Sequence, residues 1–555
     1  MSDGSTEAVS APPRAVATPP PAAGWERALE AIGDRLNPIL VKETRQALKS
    51  RQFTLWFALL LAACWVTTIG AIALVGPSIY YISSGPYLLR AYYAVLALPL
   101  VVVAPFSAYR SLAAEHEENT RDLLEVSSLT PRQLVNGKLG SAALQVMIFA
   151  SALAPAIAFT YLLRGIDALA IVVVLAYVGL ASLGLSTLGL VLALLTKERY
   201  AQVVISVVWA GALFAAYVGL MEWGSVVLRA DAAELYSWRF WSTHAYGFAL
   251  YATTVGVAYA GATSLADFAS SNRATPVRRA LFVQQAVYVG CVAALVAGPG
   301  LSRESLVFAF VIAAAYWWVA AAFMSGESST LSRRVRRSLP QSWLGRAFGA
   351  WFQPGGGSGL VLCLTNLLVV GGAVAAAAVL VEPGRVARGD PEGVTAAKAI
   401  LLLAGYTTFY LGVGRLVAIG VRRVAHVSLM GAFLVQLLVA LGGSSLPFVA
   451  RTLDDRLDRV DVGVLTASSP VWTVGRLVDN RLSPGQESGL IVTVVAGAIA
   501  VWLVSLRVAG AEARQARVDT PLRVLEDERD LNPPPAAKPV NPWGDLPEAA
   551  DAPGG

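Results

Sequence analysis

The run Phe53-Thr54-Leu55-Trp56-Phe57-Ala58-Leu59-Leu60-Leu61-Ala62-Ala63-Cys64-Trp65-Val66-Thr67-Thr68-Ile69-Gly70-Ala71-Ile72-Ala73-Leu74-Val75 holds no charged residue. A helix needs about 20 such residues to cross the hydrocarbon core of a bilayer, so this run is long enough to span it. Its apolar residues are continuous rather than alternating, which excludes a strand of a closed membrane barrel. Working outward, eleven further runs have the same character: 88–108, 139–163, 168–195, 200–221, 244–265, 281–299, 305–324, 358–381, 397–419, 425–447 and 488–508. Any one of them alone reads equally well as the core helix of a soluble domain, but twelve together do not. Composition agrees. Hydrophobic residues make up 56% of the 555-residue chain and charged residues 14%, where about 25% charge is usual for a soluble fold. Mean hydropathy is +0.59. The expected fold is an all-α polytopic membrane protein of about twelve spans.

Lys and Arg set the expected orientation. With the amino terminus inside, cytoplasmic stretches carry 21 of them and the opposite loops 12, which places both termini in the cytoplasm by the positive-inside rule. The net charge of +6 then belongs to cytoplasmic loops rather than to a nucleic-acid surface. Loop lengths recur in order. The long inner loop before residue 139 has a counterpart at 325–357, the tight inner turn at Thr196–Arg199 one at Arg422–Arg423, and the outer segment 222–243 one at 448–487. This order suggests two six-span halves in parallel orientation. The alternative is a six-span module with six unrelated spans appended.

Residues 1–35 form a Pro- and Ala-rich arm without an apolar core, and 511–555 a charged, Pro-rich tail. Both read as disordered. Cys64, Cys291 and Cys363 lie within apolar runs and show no metal-ligand or disulfide spacing. His116, His244 and His426 are too scattered for a zinc site. Ser182-x-x-x-Ser186-x-x-Gly189 allows close helix packing. Arg415 sits near an inner span end, where its long side chain is expected to snorkel to water. Outer loop 448–487 mixes Asp454, Asp455, Asp458, Asp461 and Asp479 with arginines, the pattern of a solvated amphipathic helix. A metal-assisted transferase site is the rival reading of the same carboxylates.

The stretch with mechanical content follows the second span. Glu115-His116-Glu117-Glu118 precedes Asn119-Thr120, a good helix start, with Asp122 in the first turn and Leu123, Leu124 and Val126 on an apolar side. Thr130-Pro131-Arg132-Gln133 is a second start, with Thr at the cap, Pro at the first helical position and Gln three residues after the cap. A short surface helix around 112–129 is therefore expected, then a helix from Pro131 through Lys138 into the third span. Such an element reads either as an interfacial loop helix or as a docking knob for a cytoplasmic partner.

In order and spacing these residues resemble the signature of ABC-2-type transporter permeases: Glu115, Glu117, Glu118, Asn119, Thr120, Leu123, Leu124, Pro131 and Gly137-Lys138. Asn119 stands where that family usually has Gly. Asn37-Pro38-Ile39-Leu40-Val41-Lys42-Glu43-Thr44-Arg45 resembles the family's interfacial connecting helix. The resemblance covers about residues 35–270, so 36–270 is taken as one six-span domain and 271–510 as a second six-span region.

The resemblance implies a permease that is not itself an enzyme. It would sit in the cell membrane of a bacterial-type cell and be driven, for export, by a separate ATPase subunit that carries the ATP and Mg. The helix 112–129 would be the coupling helix seated on that ATPase, with 36–50 beside it. The bilayer is the other partner, and a second permease copy is needed if the two halves are unrelated. No Gly-x-x-x-x-Gly-Lys-Ser/Thr occurs in the sequence, so the chain is expected to hydrolyse no ATP alone, and no cofactor is expected on it. Two rivals remain: an ion-coupled carrier, disfavoured because the spans lack mid-depth carboxylates, and a membrane-embedded transferase acting on lipid-linked substrates.

Overall fold

The computed structural model describes residues 37–76, 84–117, 129–163, 165–195, 199–268, 270–297, 303–327, 349–380, 391–424, 429–453, 466–479, 481–515 and 522–531, with isolated positions between them. Among these the fold is all-α. Eleven helices are long and apolar enough to cross a membrane. A twelfth, Trp238–Ala266, covers the expected span 244–265 but falls outside that set, because Trp, Tyr, Thr and Gly replace much of its Val and Leu. The protein is a multi-pass membrane protein.

The chain divides into two compact units, Met1–Ser302 and Arg303–Gly555. The division lies past residue 270, the boundary that the sequence suggests between two sets of six spans. The helix Ala274–Ala297, counted from sequence as the first span of the second set, instead packs on Trp238–Ala266 in the first unit. Seven long helices thus fall in the first unit and five in the second among the described residues.

In the first unit, α1 (Pro38–Lys49) leads through Ser50 into α2 (Arg51–Val75). The second span is α3 (Gly85–Leu98), a π-helical turn (Pro99–Val103) and α4 (Ala104–Glu117). Then come α5 (Pro131–Leu162), α6 (Ala168–Leu194), α7 (Arg199–Val227), the single turn α8 (Ala232–Leu235), α9 (Trp238–Ala266) and α10 (Ala274–Ala297). Proline lacks the N–H that an α-helix needs, and Pro99 stands where the helix widens to π. Ser182 of α6 donates its hydroxyl to the Leu100 carbonyl in that turn. Gly189 lets the Pro105 backbone approach, since a Cβ there would lie 3.2 Å from the Pro105 oxygen. The Ser182/Ser186/Gly189 face therefore packs on the second span, as its small side chains suggest. Outward residues of α2, including Leu55, Leu59, Trp65, Val66, Ile69 and Ile72, are exposed and suit a lipid-facing helix.

The second unit comprises α11 (Arg303–Ser325), α12 (Gly356–Leu380), α13 (Pro391–Arg422), α14 (Leu429–Leu453), α15 (Pro470–Val478), α16 (Pro484–Gln515) and α17 (Leu522–Leu531). α13 is its hub and packs on α11, α12, α14, α15 and α16. Three sequence expectations change here. Arg415 does not snorkel: its side chain is 2% exposed and one guanidinium nitrogen donates to both Glu512 oxygens, at 2.9 and 2.8 Å. Pairing with a carboxylate on the neighbouring helix replaces the water it would otherwise seek. Outer segment 448–487 is not wholly solvated. Ser469 caps α15, whose Trp472, Thr473 and Leu477 are buried, and Tyr406 of α13 donates to the Ala467 carbonyl at 2.6 Å. Asp454, Asp455, Asp458 and Asp461 lie outside the described residues, while Asp479 is exposed. The tail is not uniformly irregular, because α16 continues to Gln515 and α17 follows. The amino-terminal arm 1–35 lies outside the described residues.

Candidate functional site

The site is the base of the loop after the second span, where α1, α4 and α5 meet. Each element is positioned by local sequence. Asn37 caps α1 by accepting the Ile39 N–H at 3.0 Å, with Pro38 in the first turn. Thr130 and Gln133 form the expected capping box of α5: Thr130 Oγ1 accepts the Gln133 N–H at 3.3 Å, and Gln133 Oε1 accepts the Thr130 N–H at 2.9 Å. The Asn37 amide also donates to the Gln133 carbonyl, tying the two helix starts together. Gly137 then permits contact, because a Cβ on it would stand 2.6 Å from Cγ2 of Ile39.

One residue on, Lys138 is the electrostatic centre. Its ammonium donates to Glu43 of α1 at 3.0 Å, to Glu115 of α4 at 2.9 Å and to Ser111 of α4 at 3.3 Å. These three bonds use all three ammonium hydrogens. The Lys138 side chain is 1% exposed, Glu43 11% and Glu115 14%. A buried ammonium is costly to desolvate, and two carboxylates at hydrogen-bond distance compensate it. The triad joins three helices, with Glu43 lying 95 residues and Glu115 23 residues from Lys138 in sequence.

The sequence-derived residues separate accordingly. Asn37, Pro38, Glu43, Glu115, Pro131 and Lys138 come together at this base. Lys42 and Arg45 lie on the exposed side of α1. Residues 112–117 are not the start of a separate surface helix but the last turns of α4, continuous with the second span. Glu118, Asn119, Thr120, Leu123 and Leu124 lie outside the described residues, as does the side chain of Glu117. Sequence reasoning missed Ser111 as a ligand of Lys138. The helical spacing Ser111/Glu115 was the available signal, since residues four apart share a face.

α4 and α5 both outrun the membrane at this end. The apolar run of α5 begins at residue 139, so Pro131–Lys138 adds about 12 Å of helix beyond the hydrocarbon edge. α4 overhangs similarly past residue 108. The whole α5 helix, at 32 residues, is about 48 Å long against a core of about 30 Å. Tyr109 of α4 further ties this end to α7, donating to the Gln202 carbonyl at 3.1 Å, and Tyr259 of α9 donates to Asn136 Oδ1 at 2.9 Å.

At the opposite end of the unit an aromatic cluster joins the spans. Tyr177 stacks on Trp223 at 4.2 Å and meets His244 edge-on at 5.6 Å, while Phe240 lies 3.9 Å from His244. His244 is held by packing and by the Phe240 carbonyl. Among the described residues no group of three His, Cys, Asp or Glu is placed to hold a metal ion. The second unit has its own half-buried polar end. Arg422 donates to the carbonyls of Gly326 and Glu327 just past α11, and Glu327 and Glu512 accept the N–H groups of Gly355 and Gly357. Those carboxylates satisfy the positive start of α12 from within. Comparison with family models, curated proteins and solved structures gave no match.

Proposed function

We propose that this chain is the membrane-spanning permease subunit of an ATP-driven transporter of the ABC-2 type. A separate ATPase polypeptide, carrying ATP and Mg, docks on the segment between Glu117 and Thr130 and drives export of cargo across a bacterial-type cell membrane. The observation that carries this reading is the ion-locked base. α4 and α5 overhang the bilayer, and Glu43–Lys138–Glu115 binds both to α1. A load applied to the intervening segment is then delivered to three helices at once rather than absorbed by one flexible loop. Asn37, Pro38, Glu43, Glu115, Pro131 and Lys138 of the base are among the residues through which the chain resembles ABC-2 permeases. The cytoplasmic placement of this end follows from its Lys and Arg excess.

The test is association. Affinity-tagged chain isolated from its native membrane should bring down an ATPase polypeptide, and Leu123→Asp with Leu124→Asp should abolish that while the membrane protein remains folded. Gradient-driven uptake into vesicles holding this chain alone would overturn the reading in favour of an ion-coupled carrier. So would labelling of an engineered thiol at position 119 from outside intact cells.

A further inference from the structure

The two units repeat one pattern of helix packing. In the first, the second span (α3, the π turn and α4) packs on α5, α6 and α7, α5 packs on α6 and α9, and α6 packs on α7 and α9. In the second, α11 packs on α12, α13 and α14, α12 packs on α13 and α16, and α13 packs on α14 and α16. Counted as spans, the second pattern is the first shifted by six. Pairs without close packing among the described residues correspond as well: the second span with α9, α5 with α7 and α7 with α9, against α11 with α16, α12 with α14 and α14 with α16. Helices that follow one another in a chain usually pack together. That habit explains neither the shared contacts between non-consecutive spans nor the shared gap between the last two.

Side chains make these contacts in matching places. In both units glycines open the central helix to the last one: Gly184 of α6 receives Tyr251 of α9, and Gly405 and Gly412 of α13 receive Val494 and Val501 of α16. The first and fourth members are joined too. Tyr93 of α3 donates to the Leu220 carbonyl of α7 at 3.1 Å, and Phe323 of α11 stacks on Phe433 of α14 at 4.6 Å. A short outer element interrupts the chain at the same point, α8 between α7 and α9 and α15 between α14 and α16. At the inner end a carboxylate at the exit of the first member holds the entrance to the next. Glu115 of α4 accepts from Lys138 of α5 at 2.9 Å, and Glu327, just past α11, accepts the Gly355 N–H, just before α12, at 2.9 Å. Only the helices before each set differ: α2 packs on α3 and α5, whereas α10 packs on α9.

We infer that spans two to six and eight to twelve are two copies of one packing unit, and that the inner end of α11 and α12 is a second docking base, for a second copy of the same ATPase polypeptide. This rests on the transport reading, which assigns the first base. Both bases follow an even number of spans, so both open on the cytoplasmic side. Arg334 and Arg423 are exposed at the second. The Glu327 lock does for α11 and α12 what Glu115–Lys138 does for α4 and α5, so that a load reaches two helices together. One chain thus supplies both membrane halves, and no second permease copy is required. An ATPase pair held at two points gains avidity, so spoiling the segment after Glu117 alone releases it.

The experiment weighs the intact complex. Tagged full-length chain is purified in mild detergent from its native membrane together with the co-isolating ATPase. The ATPase is identified by its Gly-x-x-x-x-Gly-Lys-Ser/Thr loop, and the assembly is measured by native mass spectrometry. One chain with two ATPase copies is the expected result. One chain with one copy, or two chains with two, overturns the second base and leaves the transport reading standing, while the absence of any ATPase overturns both. A second measurement places the contacts. The photo-crosslinker benzoylphenylalanine replaces Asn119 in one preparation and Arg334 in another, and each is irradiated in the native membrane. An ATPase adduct of comparable yield from both positions is expected. An adduct from position 119 alone overturns the proposal, and an adduct from neither position overturns the transport reading with it.

Discussion

Replacing Lys138 by Met tests the triad most directly. The methionine keeps most of the side-chain volume but removes the ammonium, leaving Glu43 and Glu115 facing each other. Their bonding oxygens lie no more than about 6 Å apart, the sum of their distances to Nζ, so at an effective dielectric of about 20 their repulsion is about 3 kcal/mol. Loss of the two charge-assisted bonds adds to this, and breaking a buried pair by removing one partner costs about 3–5 kcal/mol. Lys138→Met should therefore destabilise the first unit by about 3–5 kcal/mol. It should be read as a fall in melting temperature of the detergent-purified protein, followed by fluorescence-detected gel filtration. Adding Glu43→Met and Glu115→Met removes the stranded charges and should recover most of the loss. A single variant as stable as wild type, or a triple variant no better than the single, would refute the argument that this is a buried, mutually compensating triad.

Three further outcomes follow from individual contacts. Gly137→Val forces α1 away, since even its Cβ would meet Ile39 at 2.6 Å. A cost of about 1–3 kcal/mol in thermal stability is expected, and disulfide crosslinking between cysteines placed at positions 40 and 140 should fall with it. Arg415→Met strands the Glu512 carboxylate against α13 and should cost about 3–5 kcal/mol. Adding Glu512→Gln should return much of it, because the amide oxygen still accepts the Gly357 N–H. Ser182→Ala removes the hydroxyl that supports the Leu100 carbonyl in the π turn and should lower stability by about 1 kcal/mol. Infrared amide bands of the second span, isotope-edited at Leu100, would report the freed carbonyl, and an unchanged band would dismiss this role for Ser182.

Much of the base of the candidate site was legible in sequence because its parts are local. Thr130-Pro131-Arg132-Gln133 encodes a cap within four residues, and the capping box forms as written. Asn37-Pro38 likewise announces α1. The pairing of Lys138 with Glu43 and Glu115 was not legible, although all three residues stood out. Ion pairs 95 and 23 residues apart depend on which helix faces lie together, and Ala-, Val- and Leu-rich spans give no polar stripe to say so. The place of Arg415 is illegible for the same reason: a charge near a span end reads as snorkelling until Glu512, 97 residues later, is brought beside it.

The sequence by itself determined that this chain crosses a membrane many times as helices, and where the capped helices α1 and α5 begin. Apolar length, caps and prolines are properties of consecutive residues, and a bilayer offers their backbone no other solution. Only the tertiary structure decided which spans form each unit, that α10 joins the first, and that a lysine at a helix entrance is buried between two carboxylates. In a lipid-like environment helix association rests on close packing and scarce polar contacts rather than on a hydrophobic pattern. Neither leaves a period in the sequence to be read.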